Sequence, residues 1–239
     1  SGEQGYFTSN RKSENNVKNK TCCNDLYRWD KHLPKVPTQK VVEQKAKFNP
    51  VFDLPIALYF HNDEPNPGSV SPTTEKSYQE CYKQYRLLSN QYKANTTRGL
   101  ADSLEGPALE KMEAFFKEKI DKGMMKLDLL AEYILEQAHA GKQITLHVRG
   151  YASALHETEY NHILSERRIV SLENYLKTWQ NGRLQPYFEV GRITIERMPV
   201  GKLESTSENP TTLEEKRRSV FTFSAMQDRR IEIRVVNVK

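Results

Sequence analysis

The feature that most constrains the fold is a long helical pattern that ends directly before a strand pattern. Pro107 stands where proline favours the first turn of a helix, and Gly141 stands where glycine commonly ends one. Between them apolar residues recur at helical spacing in one continuous stripe: Leu109, Met112, Phe116, Ile120, Met124, Leu127, Ala131, Ile134 and Ala138. The sequence therefore predicts an amphipathic helix from Pro107 to Gly141, which needs a second layer to cover its stripe.

Strand patterns lie before and after this helix. Pro55 to Phe60 is a short apolar run, and alternating apolar residues predict strands at 144–148 and 231–235. A further strand is predicted from Tyr187 to Met198, interrupted near Gly191. These strands supply the layer against which the helix can pack.

Two more helices are predicted from apolar spacing, Thr74 to Ala94 and Asn161 to Trp179, while Glu214 to Met226 is ambiguous. The order is strand, two helices, strand, helix, strand, ambiguous segment and strand. Because strands separated by helices need crossover connections, we predict an α+β fold with a mixed β-sheet and helices packed on one face.

The N-terminal part differs from the rest. Residues 1–32 contain two short strand-like runs, around Gly5–Thr8 and Leu26–Trp29, and residues 33–50 have the proline and lysine content of a linker. The segments "GYFTSNR" and "CCNDLYRW" resemble the end of a propeller repeat of the PD40 (WD40-like) type. That resemblance predicts a β fragment that needs neighbouring strands.

Composition limits the classes of function. The chain of 239 residues is 37% hydrophobic, which is enough for a core, and its 36 basic and 31 acidic residues give a net charge of +5. These charges are interspersed, so we expect no nucleic-acid binding, although a mildly basic surface suits an anionic polymer. No apolar run reaches the roughly 20 residues of a membrane span. The opening Ser1-Gly2 suggests a cloning scar or an internal cut, so the missing signal peptide leaves the compartment open.

No catalytic or metal-binding set is evident. Cys22 and Cys23 are adjacent and Cys81 is distant, which predicts buried or idle thiols, with a disulfide as the open alternative. His156-Glu157 and His162 miss the His-Glu-x-x-His spacing of zinc enzymes. We therefore expect a protein that is not an enzyme and that uses no metal or other cofactor.

Three segments, taken together, carry a resemblance to a known family. They are "LPIALYFHND", "ITLHVRGYASALHETEYNHILSERRIVSLENYLKTW" and "DRRIEIRVV". Their motifs and order resemble the C-terminal domain of OmpA-like proteins, over most of residues 51–239, with an insertion at about 61–106. Together with the propeller-like start, the chain resembles large envelope proteins of Bacteroidota, among them components of the type IX secretion system.

The resemblance implies non-catalytic, periplasmic binding of the peptidoglycan stem peptide by a domain associated with the outer membrane. The family's pocket grips diaminopimelate with an aspartate for the ligand amine and an arginine for a ligand carboxylate. Carried over by motif, the expected ligand-binding residues are Asn62, Asp63, Ala152, Ser153, Asn161, Leu164, Arg168 and Arg230. For the pair Arg229-Arg230 two alternatives are open. One arginine reaches the pocket while the other stabilises the fold, or the pair serves the fold through structural ion pairs.

One departure from the family leaves two functions open. Ser153 stands at the family's aspartate position, and a serine cannot neutralise a ligand amine, so Glu157 or Asp63 would have to supply the anion. The first hypothesis is a peptidoglycan-binding anchor that uses Arg168. The second is a degenerate OmpA-like domain that binds other envelope or secretion-system proteins through its insertion. Tyr78, Tyr82, Tyr85 and Tyr92 are expected to pack internally, with glycan stacking as the alternative.

Overall fold

The computed structural model describes residues 4–9, 25–30, 46–153, 157–202 and 219–239. The chain separates into two compact units, Ser1–Lys45 and Ala46–Lys239. In the first unit, strand β1 (Gln4–Ser9) pairs antiparallel with β2 (Asp25–Asp30), which confirms the two predicted strand-like runs. Most of the expected linker, Cys22 and Cys23 lie outside the described residues.

The second unit is built on a four-stranded sheet. Its strands are β3 (Ile56–Tyr59), β4 (Ile144–Ala152), β5 (Ile193–Lys202) and β6 (Arg230–Val238), in the spatial order β3-β6-β4-β5. Strand β6 is antiparallel to both β3 and β4, whereas β5 is parallel to β4. The predicted α+β fold with a mixed sheet is therefore confirmed, and the parallel pair requires the helical crossover between β4 and β5.

Eight described helices accompany the sheet: α1 (Pro50–Asp53), α2 (Tyr78–Leu87), α3 (Ser89–Thr97), α4 (Asp102–Phe115), α5 (Lys122–His139), α6 (Thr158–Gly182), α7 (Gln185–Glu189) and α8 (Phe223–Asp228). A π-helical turn, Phe116–Asp121, joins α4 to α5. No helix in the described ranges is both long and apolar enough to cross a bilayer.

The long predicted helix starts earlier than expected. It begins at Asp102, and Pro107 lies inside α4 rather than at its start, where it removes the N–H that would bond the Ser103 carbonyl. Asp102 and Glu105 place negative charge in the first turn, which favours a helix start there. The predicted end is confirmed, because Gly141 has a φ of +82° and the Lys142 N–H bonds the Gln137 carbonyl.

Two other predicted elements need correction. The helix predicted from Thr74 to Ala94 begins only after Ser77, which caps α2 together with Glu80, and it divides at Leu88 into α2 and α3. The strand predicted from Tyr187 begins only at Ile193, since residues 185–189 form α7 with a proline in its first turn.

The apolar residues form two clusters that meet at β3. Ile56 and Leu58 belong to the main cluster, which also contains the inward faces of β4, α5 and α6. Tyr59 faces the second cluster, which is built mainly by the insertion and α4: Tyr59, Tyr85, Tyr92, Met112, Phe115, Phe116, Ile120 and Met226. Tyr78, Tyr85 and Tyr92 are fully buried, so the expectation of internal packing is confirmed for them.

Helix α6 crosses β4 at a very short distance. A Cβ added at Gly150 would lie 2.5 Å from the Ser165 carbonyl oxygen, which no real side chain tolerates. Glycine at position 150 therefore allows the approach that brings the middle of α6 next to the end of β4.

Gly150→Ala is expected to lower the free energy of unfolding by about 1–3 kcal/mol, because α6 must move away from β4. Gly106→Ala is the matched control, since nothing lies within 4 Å of a Cβ there and position 106 is helical. It is expected to raise stability by about 0.5–1 kcal/mol. Urea denaturation measures both, and equal stabilities of the two variants would contradict the close approach.

Candidate functional site

Helix α6 carries two adjacent arginines whose side chains are fully buried. Arg167 and Arg168 each have 0% of their surface exposed, which is unusual for a charged residue without a carboxylate in direct contact. Both guanidinium groups point at the segment between β3 and α2 and are held there mainly by main-chain carbonyl oxygens.

Arg167 makes the larger number of contacts. Its Nε donates to the Pro65 carbonyl at 2.7 Å, and its Nη1 donates to the carbonyls of Ser69 and Ser71 at 2.6 and 2.8 Å. The Asp63 carboxylate is 3.9 Å from Nη2, at the limit of an ion pair. Arg167 therefore fixes the loop from Asp63 to Ser71 against α6.

Arg168 ties the same loop to the end of β4. Its Nε donates to the Glu64 carbonyl at 2.9 Å and its Nη1 to the Tyr151 carbonyl at 2.7 Å, while the guanidinium lies 5.1 Å from the centre of the Phe60 ring. Its Nη2 is buried and has no hydrogen-bond partner among the described residues. Burial, followed by the nearby charge of Arg229, lowers the pKa of Arg168 to about 9.

A third buried cation, Arg229, lies beside this pair. Its Nη2 donates to the Val220 carbonyl at 2.7 Å and to the Tyr92 hydroxyl at 3.2 Å, while its Nε and Nη1 have no hydrogen-bond partner in the described part of the chain. His61 shares a 2.8 Å hydrogen bond with the same Tyr92 hydroxyl. Burial, together with the charges of Arg229 and Arg168, lowers the pKa of His61 to about 4, so this imidazole is neutral at pH 7.

Five of the predicted ligand-binding residues are buried: Ala152, Ser153, Asn161, Leu164 and Arg168. Ala152 and Ser153 follow Tyr151 directly, so the end of β4 and the Arg168 guanidinium lie together as expected. Ser153 is only 5% exposed. No carboxylate of the described residues lies within 4.0 Å of Arg168, although the charge of Asp63 is near enough to raise the pKa of Arg168.

The remaining predicted residues have other partners. Asp63 accepts hydrogen bonds from the Tyr160 hydroxyl at 2.5 Å and from the Gly68 N–H at 2.8 Å, and Asn62 beside it is partly exposed. Arg230 forms an ion pair with Glu232 at 2.8 Å and stacks 4.8 Å from the centre of the Tyr151 ring. Arg230 thus braces β6, as the ion-pair alternative predicted.

Arg167 was not among the residues predicted from the sequence, although it makes the larger number of contacts in the cluster. A signal was available for Arg168, because it lies four residues after Leu164 and four before Leu172, on the inward face of α6. The acceptors of Arg167 come from a loop about 100 positions earlier in the chain, and no local pattern links the two.

Comparison of the sequence with models of known protein families finds no match, and comparison with curated proteins finds none either. The fold and the site define an α+β domain that carries a buried arginine cluster. Among the described residues, no three histidine, cysteine or acidic side chains are grouped as a metal site would require.

Arg167→Ala is expected to lower the free energy of unfolding by about 3–5 kcal/mol, because it removes a fully buried side chain and leaves one buried and two partly buried carbonyl oxygens without its N–H donors. Trypsin should then cleave faster at Lys76, which lies at the end of the released loop. Arg183→Ala is the control: this arginine is exposed and its guanidinium bonds the nearby Gln180 side chain, so its effect should stay below about 0.5 kcal/mol. Similar losses in both variants would contradict the proposed role.

His61 should make stability depend on pH. Its folded pKa of about 4 lies below the unfolded value of 6.5, so its contribution is complete above pH 6.5 and is lost as the pH falls towards 4. Between pH 7.5 and pH 5 the wild type should lose of order 1 kcal/mol more than His61→Gln in urea denaturation. Asp228, whose pKa is raised by burial, acts in the opposite sense but equally in both proteins. Parallel pH profiles would contradict this assignment.

Proposed function

We propose that this chain contains a non-catalytic domain that binds a carboxylate of the peptidoglycan stem peptide. In the periplasm, such a domain anchors an assembly associated with the outer membrane to the cell wall. The observation that carries the proposal is a group of buried arginines that outnumbers its carboxylates: Asp63 lies 3.9 Å from Arg167, and no carboxylate of the described residues lies within 4.0 Å of Arg168 or Arg229. Arg168 and Arg229 together have three nitrogens that lack a hydrogen-bond partner among the described residues.

The physical argument concerns the cost of buried charge. A guanidinium removed from water is unfavourable unless its N–H groups are bonded and its charge is balanced. Arg168 and Arg229 repel each other, and each lowers the pKa of His61. A ligand carboxylate accepts several N–H bonds at once and supplies the missing negative charge. An anionic ligand is therefore the simplest group that satisfies this cluster.

The position of the cluster supports the wall as the source of that carboxylate. The motif that resembles OmpA-like proteins places its ligand arginine at Arg168, and the segment "DRRIEIRVV" places the arginine pair at Arg229 and Arg230, of which Arg229 lies in the cluster. The two side chains lie close together although 61 positions separate them in the sequence. A free diamino acid head would be gripped by its carboxylate, while Ser153 offers its amine only a neutral hydrogen bond. Affinity for the head group should thus be roughly tenfold lower than with an aspartate there.

Access to the site requires movement. Because Arg168 has no exposed surface, a ligand reaches its Nη2 only when the loop from His61 to Ser71 is displaced. This loop has little regular structure and is fixed by the hydrogen bonds of Arg167 and Arg168. Binding by this route costs part of the energy that holds the loop.

The second candidate function is a protein-interaction module in an envelope or secretion complex. The specific observation in its favour is that Arg168 is already bonded to two carbonyls and completely buried, and that the residue at the family's aspartate position is the neutral Ser153. The insertion also exposes large apolar side chains, with Leu87 83% and Leu104 55% exposed. Such a module would bind its partner through α2 to α4, independently of position 153.

Ser153→Asp provides a test by gain of function. It restores the acid beside Arg168, so retention on purified sacculi should rise about tenfold over the wild type, and free meso-diaminopimelate should compete. Ser224→Asp is the matched control, because it adds the same charge at an exposed position on α8. Co-sedimentation with sacculi measures both variants.

Arg168→Met tests the same site by loss of function, since it keeps an unbranched apolar stem and removes the charge. Retention by sacculi should disappear in a protein that still shows cooperative unfolding. If neither the wild type nor Ser153→Asp is retained, the anchor proposal fails. A partner protein that co-purifies with wild type and Arg168→Met alike would then favour the interaction module.

A further inference from the structure

A groove separate from the arginine cluster lies between α3, α4 and the start of α8. Its volume is about 670 Å³, which is within the range of small-molecule sites. Its lining is mostly apolar, with two cations at its edge, and the main contributors are Arg98, Leu100, Lys111, Met112, Phe221 and Phe223.

The floor of the groove is held in place by aromatic contacts. The Phe223 ring lies 5.3 Å from the Phe115 ring and the Phe221 ring 5.0 Å from the Tyr92 ring, both in edge-to-face geometry. Phe115 and Tyr92 belong to the buried second cluster. The apolar floor is therefore preformed, which reduces the entropy that a ligand must lose on binding.

The charged side chains that line the groove, Lys111 and Arg98, are both positive. No carboxylate of the described residues lies within 4.0 Å of either. By contrast, Lys93 on the neighbouring helix forms an ion pair with Glu113. The Lys111 ammonium lies 4.3 Å from the centre of the Phe223 ring, so a positive charge stands directly over the apolar floor.

We propose that this groove binds an amphipathic anion, a single unbranched acyl chain with a carboxylate head. The chain lies on Met112, Phe221 and Phe223, and the head pairs with Lys111 and Arg98. Methionine and phenylalanine floors accommodate flexible alkyl chains, and the unpaired cations select the anionic head group. The proposal is independent of the arginine cluster and of the wall-binding function.

Isothermal titration of the full chain with sodium dodecanoate, below the concentration at which it forms micelles, tests this site. Dodecanoate should bind up to about tenfold more tightly than decanoate, because two more methylene groups are buried. Dodecyltrimethylammonium, which has the same tail and the opposite charge, should bind at least roughly tenfold more weakly than dodecanoate.

Three variants locate the site. Lys111→Gln should weaken dodecanoate binding about three- to tenfold. Ala108→Trp should abolish binding by filling the groove. Lys117→Gln, an exposed lysine outside the groove, should leave it unchanged. Thermal melts of each variant show whether the fold is retained.

Several outcomes would overturn the proposal. Equal binding of the cationic and anionic amphiphiles would show that the head group is not recognised. If Ala108→Trp changes only the mass measured by light scattering, the groove is a contact between copies of this chain. Binding to phosphatidylglycerol vesicles without binding to monomeric dodecanoate would assign the surface to membranes.

Discussion

The structure depends on hydrogen bonds that run from side chains of α6 to main-chain carbonyls of the segment between β3 and α2. Arg167, Arg168 and Asn174 donate to six such acceptors, all of them in residues 64–76, and Arg168 also donates to the Tyr151 carbonyl on β4. An irregular loop can be partly buried only if its carbonyl groups find donors. A guanidinium offers five N–H donors in a fixed planar arrangement, so two arginines can hold many residues of this loop in place.

This arrangement explains why the cluster is both structural and electrostatically incomplete. Most of the acceptors that these arginines meet are neutral carbonyls, which satisfy hydrogen bonds but do not balance charge. Arg229 adds a further buried cation, and His61 responds by staying neutral at pH 7. The excess positive charge is the physical basis of the proposed anion binding, and the same bonds explain why the site is closed until the loop moves.

The segment 61–106, predicted from the sequence to be an insertion, is an integral part of the packing. Its tyrosines, Tyr85 and Tyr92, bury their rings in the second cluster, and the Tyr92 hydroxyl contacts both Arg229 and His61. Strand β3 contributes alternate side chains to the two clusters, so it joins the insertion to the sheet. The domain therefore combines a sheet with helices alongside and an added helical layer that carries its own groove.

The sequence by itself determined the α+β class, the positions of β3, β4, β6 and α6, and the end of α5 at Gly141, because periodicity and helix-ending residues are local signals. Two predictions were wrong. The long helix begins at Asp102 and not at Pro107, because acidic residues in the first turn favour that start. Residues 185–189 form α7 and not part of a strand, because a proline favours the first turn of a helix. Only the tertiary structure decided what Arg167 and Arg168 contact. Their acceptors are carbonyl oxygens, which every residue carries, so side-chain identity gives no sign of which carbonyls of a distant loop will meet a guanidinium.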